Sequence, residues 1–165
     1  MIVIVFGVSG AGKTTIGRLL ARELGWAFLE GDDFHSAANI GKMQAGVPLT
    51  DEDRQPWLDK LREEIARRLA AGENAVLACS ALKKSYRLTL RVNEQVRFVY
   101  LRGGFEQIRR QLQQRHGHFM NPDLLQSQFD TLEEPDTAEG AVTIELGRPA
   151  EELVEEIRKK LRLDS

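Results

Sequence analysis

The chain has a single cysteine, Cys79, so no intramolecular disulfide can form and packing alone must hold the fold, as in a reducing compartment. Proline is scarce, with 5 in 165 residues, and no Gly/Ser-rich stretch or internal repeat divides the sequence, which predicts one domain. Long apolar runs are absent as well. The early run Ile2 to Phe6 is far too short to span a bilayer and lacks the basic flank of a secretory signal, so a cytoplasmic protein is expected. Nor is there a surplus of charge: 23 Lys and Arg meet 25 Asp and Glu, for a net charge of -2. That balance argues against a nucleic-acid or membrane surface and leaves a small molecule as the expected partner.

What is present is an alternation of short apolar runs with stretches of helical period, the pattern of βαβ units around a parallel sheet. Ile2 to Phe6, Trp26 to Glu30, Ala75 to Cys79, Val96 to Leu101 and Val142 to Leu146 read as five strands. Lys13 to Leu24 reads as a helix closed by Gly25. A second begins at the capping pair Thr50 and Asp53, holds Pro56 in its first turn and buries Leu58, Leu61, Ile65 and Leu69. A third begins at Pro149, acidic at its start and basic at its end. Two stretches look unlike core. One comes after the second strand and is assigned, over about 31–72, to a substrate-binding insert; the other, about 104–138, is basic early and acidic late and is assigned to a lid.

Gly7-Val8-Ser9-Gly10-Ala11-Gly12-Lys13-Thr14 fits G-x-x-x-x-G-K-[ST] in full, with a strand before it and a helix after. Its glycines let consecutive backbone N–H groups converge on phosphate oxygens, and the helix start adds its positive dipole end. The expected nucleotide-binding set is Gly7, Ser9, Gly10, Ala11, Gly12, Lys13, Thr14 and Thr15. Lys13 reaches the outer phosphates, and the Thr14 hydroxyl holds Mg²⁺. By itself the motif specifies a nucleotide, not a reaction.

Candidates for the acceptor side stand at the carboxyl ends of the other strands, where ligands of open parallel sheets collect. Glu30-Gly31-Asp32-Asp33-Phe34-His35 closes the second strand. Asp32, beside a glycine that permits close backbone approach, is the candidate for the acceptor hydroxyl, with turn formation as the alternative. Arg54 sits against the dipole of its own helix: either it bridges Asp51 or Asp53, or it offers a planar fork to an anion. Ser80 is expected to cap a helix after the third strand. Lys83, Arg87 and Arg91 then recur at helical spacing, awaiting an anion from outside or else forming a solvated face. Arg115 and His118 fall in the lid. Their surroundings make a poor zinc site, and Arg115 is read as a mobile cation for the transferring phosphoryl group.

Taken in order, the phosphate loop, GDDFH, NIGKM (Asn39 to Met43), PLTDEDRQPWL (Pro48 to Leu58), ACSALKKSYR (Ala78 to Arg87), RHGHFM (Arg115 to Met120) and SQFDTLEEP (Ser127 to Pro135) resemble the gluconokinase family over nearly the whole chain. The resemblance implies an α/β P-loop kinase fold: three layers, α/β/α, with a five-stranded parallel sheet, as in shikimate and adenylate kinases. It also implies transfer of a phosphoryl group from ATP, with Mg²⁺, to D-gluconate. It favours Asp32 near the acceptor hydroxyl, His35, Arg54, Lys83, Arg87 and His118 as sugar-acid contacts, and Arg115 as a lid arginine. Arg110 and Arg148 are its candidates for the adenine. One departure stands out: the family usually has proline after the histidine, where this chain has Ser36, which is expected to loosen the loop. Shikimate, another sugar acid or a nucleotide as acceptor, and a non-catalytic ATP-binding protein, are the rival readings, and oligomeric state, a homodimer included, is left open. Replacing Lys13 with methionine is expected to abolish phosphoryl transfer, read as ADP release; turnover at the unaltered rate would remove Lys13 from the chemistry.

Overall fold

Side chains of a strand point alternately to opposite faces, so the wholly apolar Ile2–Phe6 must be covered on both sides. The computed structural model, which describes residues 1–114 and 122–163, shows how. In chain order its elements are β1 (Ile2–Phe6), α1 (Lys13–Leu24), β2 (Ala27–Glu30), a 3₁₀ turn (Gly31–Phe34), α2 (Ala37–Gln44), α3 (Asp51–Ala70), β3 (Ala75–Ala78) and α4 (Lys84–Leu90). Next come β4 (Val96–Arg102), α5 (Phe105–Gln113), α6 (Pro122–Thr131), a second 3₁₀ turn (Thr137–Glu139), β5 (Val142–Glu145) and α7 (Ala150–Leu161). The strands form one parallel five-stranded sheet in the order β2-β3-β1-β4-β5.

Val3 and Val5, with Val76, Val99 and Leu101, pack on Ile16 and Leu20 of α1 and on Leu153, Val154 and Ile157 of α7. Ile2, Ile4 and Phe6, with Leu77, Phe98 and Tyr100, pack on Trp57, Leu58, Leu61 and Ile65 of α3 and on Tyr86 and Leu90 of α4. Burial of each large apolar side chain contributes roughly 1.5–3 kcal/mol. Three layers result, α/β/α, as the sequence predicts. The region expected to form an insert therefore divides: residues 31–50 stand outside these layers, whereas α3 is one of them. No helix among the described residues is long and apolar enough to cross a membrane.

Local chemistry explains most helix ends. Thr50 and Asp53 form the expected capping box, their side chains exchanging bonds of 3.1 and 2.9 Å with each other's backbone N–H. Pro56 lies deeper in α3 than expected, past the first turn. Ser36 does not loosen its loop: its hydroxyl caps α2 by accepting from the Asn39 N–H at 3.1 Å. Ser80, by contrast, caps nothing. Helix α4 starts later, at Lys84, and its first N–H is met by the carboxylate of Glu133 at 2.9 Å.

Glu133 belongs to the acidic half of the segment assigned to the lid, and this half supplies the anions that α4 was expected to find outside the protein. Lys84 pairs with Asp136 at 2.9 Å. Arg87, 1% exposed, spends its whole guanidinium internally, on both carboxylate oxygens of Glu139 and on the carbonyls of Ala81, Leu82 and Glu133. It also lies over the Phe6 ring, 4.9 Å from the centroid. The expectation that Arg87 contacts substrate is thereby corrected: no N–H is left to give.

Truncating one member of a buried ion pair strands the other, at a cost of about 3–5 kcal/mol. Arg87→Met is therefore expected to lower unfolding stability by that order, measured by urea denaturation. Burial alone would raise the Glu139 pKa, but the bonds and charge of Arg87, with the Asp136 backbone N–H, together outweigh it and hold the carboxyl below its ordinary value. A depressed folded-state pKa stabilises above the unfolded value and is lost as pH falls through the folded one. Wild-type stability should accordingly decline on acidification below the ordinary glutamate range, and Arg87→Met should show a flatter acid limb.

Candidate active site

The site assembles at the carboxyl ends of β1, β3 and β2, which are level because Ala78 pairs with Val5 on one side and Glu30 on the other. The phosphate loop leaves β1 and turns into α1 at Gly12, whose left-handed backbone places the helix start beneath the loop. Lys13 folds back over it, its ammonium 3.1 and 2.9 Å from the carbonyl oxygens of Gly7 and Val8. The Thr14 hydroxyl donates to the carboxylate of Glu30 at the end of β2. Thr15 is exposed at the start of α1 and lines the neighbouring cavity.

From the far side the loop is held by the helices that flank the undescribed residues 115–121. Gln128 of α6 accepts from the Ser9 N–H at 2.6 Å and donates to the Ser9 hydroxyl at 2.9 Å. Leu112 of α5 lies so close to Gly10 that a Cβ there would come within 2.5 Å of its Cγ, and Gly10 also has φ +83°. Only glycine meets both demands. Beside the loop, a cavity of about 200 Å³ runs from Gly10, Gly12 and Thr15 to Gln111, Arg148 and Leu153. Arg148 thus stands at the expected nucleotide side, tied to Glu156. Arg110 does not line the cavity; it is exposed in the last turn of α5, and its neighbour Gln111 takes that place.

On the acceptor side, Gly31 passes so near β3 that a Cβ would sit 2.6 Å from the Ala78 carbonyl. Asp32, the next residue of the 3₁₀ turn, is exposed. Cys79 records the convergence. Burial pushes its thiol up to about 12, and the charges of Lys13, which lowers it, and of Asp32 and Glu30, which raise it, all act on it. His35 stacks on Trp57 with ring centroids 4.2 Å apart, and the Trp57 indole N–H donates to Gly31 O at 2.8 Å. Burial lowers the His35 pKa, opposed by Asp32 and aided by Arg54.

Arg54 does not bridge Asp51 or Asp53. Lys42 occupies Asp53 at 2.9 Å, and Asp51 is taken by Lys83 at 3.0 Å and by the Tyr86 hydroxyl. Among the described residues Arg54 has no salt bridge; it donates to Tyr86 Oη at 3.1 Å and lies over that ring. The structure thus gathers Arg54 and Lys83 around Tyr86 and sets His35 on Trp57, with both Asp32 and Arg54 acting electrostatically on that imidazole. Arg115 and His118 lie outside the described residues.

Four residues of the site escape sequence reasoning: Glu30, Asn39, Tyr86 and Gln128. Glu30 reads only as the end of its strand, and the other three stand in family-like blocks without a role attached to them. Among the described residues no three acidic, histidine or cysteine side chains gather as a metal cage. Mg²⁺ needs none, since it keeps several waters and takes one or two protein oxygens beside phosphates. Thr14 and Glu30, facing each other, fit that demand.

The shikimate kinase family model matches residues 9–162. A probable gluconokinase of Rattus norvegicus is 43% identical over 180 residues, covering 98% of this chain and 97% of that one. Among solved structures, a sugar kinase from Janibacter sp. HTCC2649 superimposes with a TM-score of 0.92 at 46% identity, covering 98% of this chain and 94% of its own. A gluconokinase from Sinorhizobium meliloti 1021 gives 0.89 at 42%, covering 97% and 90%. Likeness of this degree along almost the full length, in a chain whose phosphate loop stands level with the carboxyl ends of its neighbouring strands, means that the chain belongs to the gluconokinase family of shikimate-kinase-like P-loop kinases.

Proposed function

We propose that the protein transfers the γ-phosphoryl group of ATP to D-gluconate, giving 6-phospho-D-gluconate, in the cytoplasm. The observation that carries the transfer reading is the level end of the sheet, where the phosphate loop with Lys13 leaves β1 and the Glu30-Gly31-Asp32 turn leaves β2 across a single strand, because a protein that only binds nucleotide needs no carboxylate opposite its phosphate lysine. The acceptor is carried by the likeness to relatives named gluconokinase. The shikimate kinase model speaks for the shared scaffold.

In this reading the loop N–H groups and Lys13 hold the outer phosphates, and Arg148 lies along the nucleotide's far end. Ser9 offers its hydroxyl, since its N–H is already bonded to Gln128. The Thr14 hydroxyl and the Glu30 carboxylate would hold Mg²⁺, which would supply charge neutralisation to the phosphate oxygens. Asp32 orients the acceptor hydroxyl and receives its proton. Arg54, Lys83 and His35 meet the carboxylate and hydroxyls of the sugar acid. Arg115 and His118, from the segment 104–138 acting as a lid, complete the set, with residues 31–50 as the acceptor-binding insert.

An ADP-release assay over gluconate, other sugar acids, shikimate and nucleoside monophosphates tests the acceptor; strong turnover on another acceptor and none on gluconate would remove gluconate and leave the kinase. Arg54→Ala is expected to raise the KM for gluconate with little change in the KM for ATP. Loss of one charge-assisted hydrogen bond, about 1.5–3 kcal/mol, corresponds to about tenfold to a hundredfold. An unchanged gluconate KM would take Arg54 out of the acceptor site.

A further inference from the structure

Asn39 is one of two polar residues buried among the described residues, 6% exposed, and it has no part in the reaction outlined above. Its side-chain nitrogen donates to the Asp53 carbonyl at 2.8 Å and lies 3.2 Å from Nδ1 of His35. The first contact settles the second. A backbone carbonyl can only accept, so the amide must turn its NH₂ toward Asp53, and the oxygen cannot take that place. The NH₂ has two hydrogens; with one on Asp53, the other is aimed at His35. Nδ1 must then be the bare, accepting nitrogen.

A neutral imidazole carries one proton, and if Nδ1 is bare the proton is on Nε2. The cation is disfavoured too, since Nδ1–H would point at an NH₂ group. The surroundings agree. Burial and Arg54 of α3 hold the His35 pKa below its ordinary value against the pull of Asp32 in its own turn. Stacking at 12° on Trp57, which is itself bonded to Gly31, fixes the plane of the ring, and a flip within that plane would present a carbon to the Asn39 NH₂ and forfeit its hydrogen bond.

We propose that Asn39 is a positioning residue that fixes His35 as the Nε2–H tautomer, so that His35 offers the acceptor a hydrogen-bond donor and takes no proton from it. Proton acceptance is thus left to Asp32, and His35 selects for an oxygen with a free lone pair, such as a hydroxyl or carboxylate of a sugar acid. This assigns a task to the Asn39 to Met43 block, whose Lys42 meanwhile ties α2 to Asp53. The donor's target rests on the reading of His35 as an acceptor contact; the tautomer itself does not.

The test is nitrogen-15 NMR of the imidazoles in the full chain, with His35 identified among the three histidines by its loss in His35→Gln, together with acceptor kinetics. Wild type is expected to show His35 neutral at pH 7 with Nε2 protonated. In Asn39→Asp a carboxylate faces Nδ1, so the proton is expected to move there and the titration to shift upward. At pH values where Nε2 is bare, the KM for the sugar acid should rise about tenfold, one hydrogen bond's worth, with the KM for ATP unchanged. A wild-type His35 protonated on Nδ1, or charged at pH 7, overturns the proposal, and this arm requires no variant to fold. A variant switched by NMR that keeps its acceptor KM overturns the donor role. The expected tautomer in a protein inactive on every sugar acid would instead support the positioning by Asn39 and overturn the gluconokinase reading, so the two failures are distinct.

Discussion

The site depends on register. Ala78 is hydrogen-bonded into the sheet between Val5 and Glu30, and this pairing brings the carboxyl ends of β1, β3 and β2 to one level. Neighbouring strands lie about 4.8 Å apart, so β1 and β2, with β3 between them, are separated by about 10 Å. That gap sets the distance from the phosphate loop to the turn that carries Asp32. A slip of one residue in β2 would turn every one of its side chains to the opposite face and carry Glu30 away from Thr14. The contact of Gly31 with the Ala78 carbonyl holds the level at its edge, since a side chain there would push the Gly31–Phe34 turn away from β3.

A second dependence is electrostatic and spans the chain. The start of α4 is basic, and the dipole of its N-terminus repels such charge. Glu133, Asp136 and Glu139 neutralise it from some fifty residues away, and in doing so they fasten the segment between α6 and β5 onto the layer that holds Tyr86. Lys83 and Arg54, proposed to meet the sugar acid, are arranged around that same Tyr86. Acidic residues outside the site thus keep its basic ones in place.

Features governed by neighbours in sequence are legible without the structure: the five strands, the span of α1, the Thr50 capping box and the phosphate loop all come from local period and chemistry. Arg87 shows where legibility stops. Its spacing with Lys83 and Arg91 is that of a shared anion-binding face, and nothing local reveals that Glu139 and three carbonyls have already claimed it. Arg54 is the converse, a residue equally suited to a surface bridge until Lys42 and Lys83 are seen to occupy both of its acidic neighbours. Ser80 has the look of a cap because it comes directly after a strand, but the helix begins four residues later, where a distant carboxylate can meet its first N–H. In each case the deciding partner lies across the fold.

The phosphate loop bears on two helices at once, Ser9 through Gln128 of α6 and Gly10 through the side chain of Leu112 of α5. Loop and helices therefore share one local opening equilibrium. α5 and α6 cannot detach together without releasing Ser9 and Gly10, and the loop cannot unwind without freeing both helices. By linkage, whatever free energy an anion contributes on settling into the loop also opposes local unfolding of helices it never touches. Slowed amide exchange in α5 and α6 would register occupancy of the loop that Leu112 and Gln128 prop from behind.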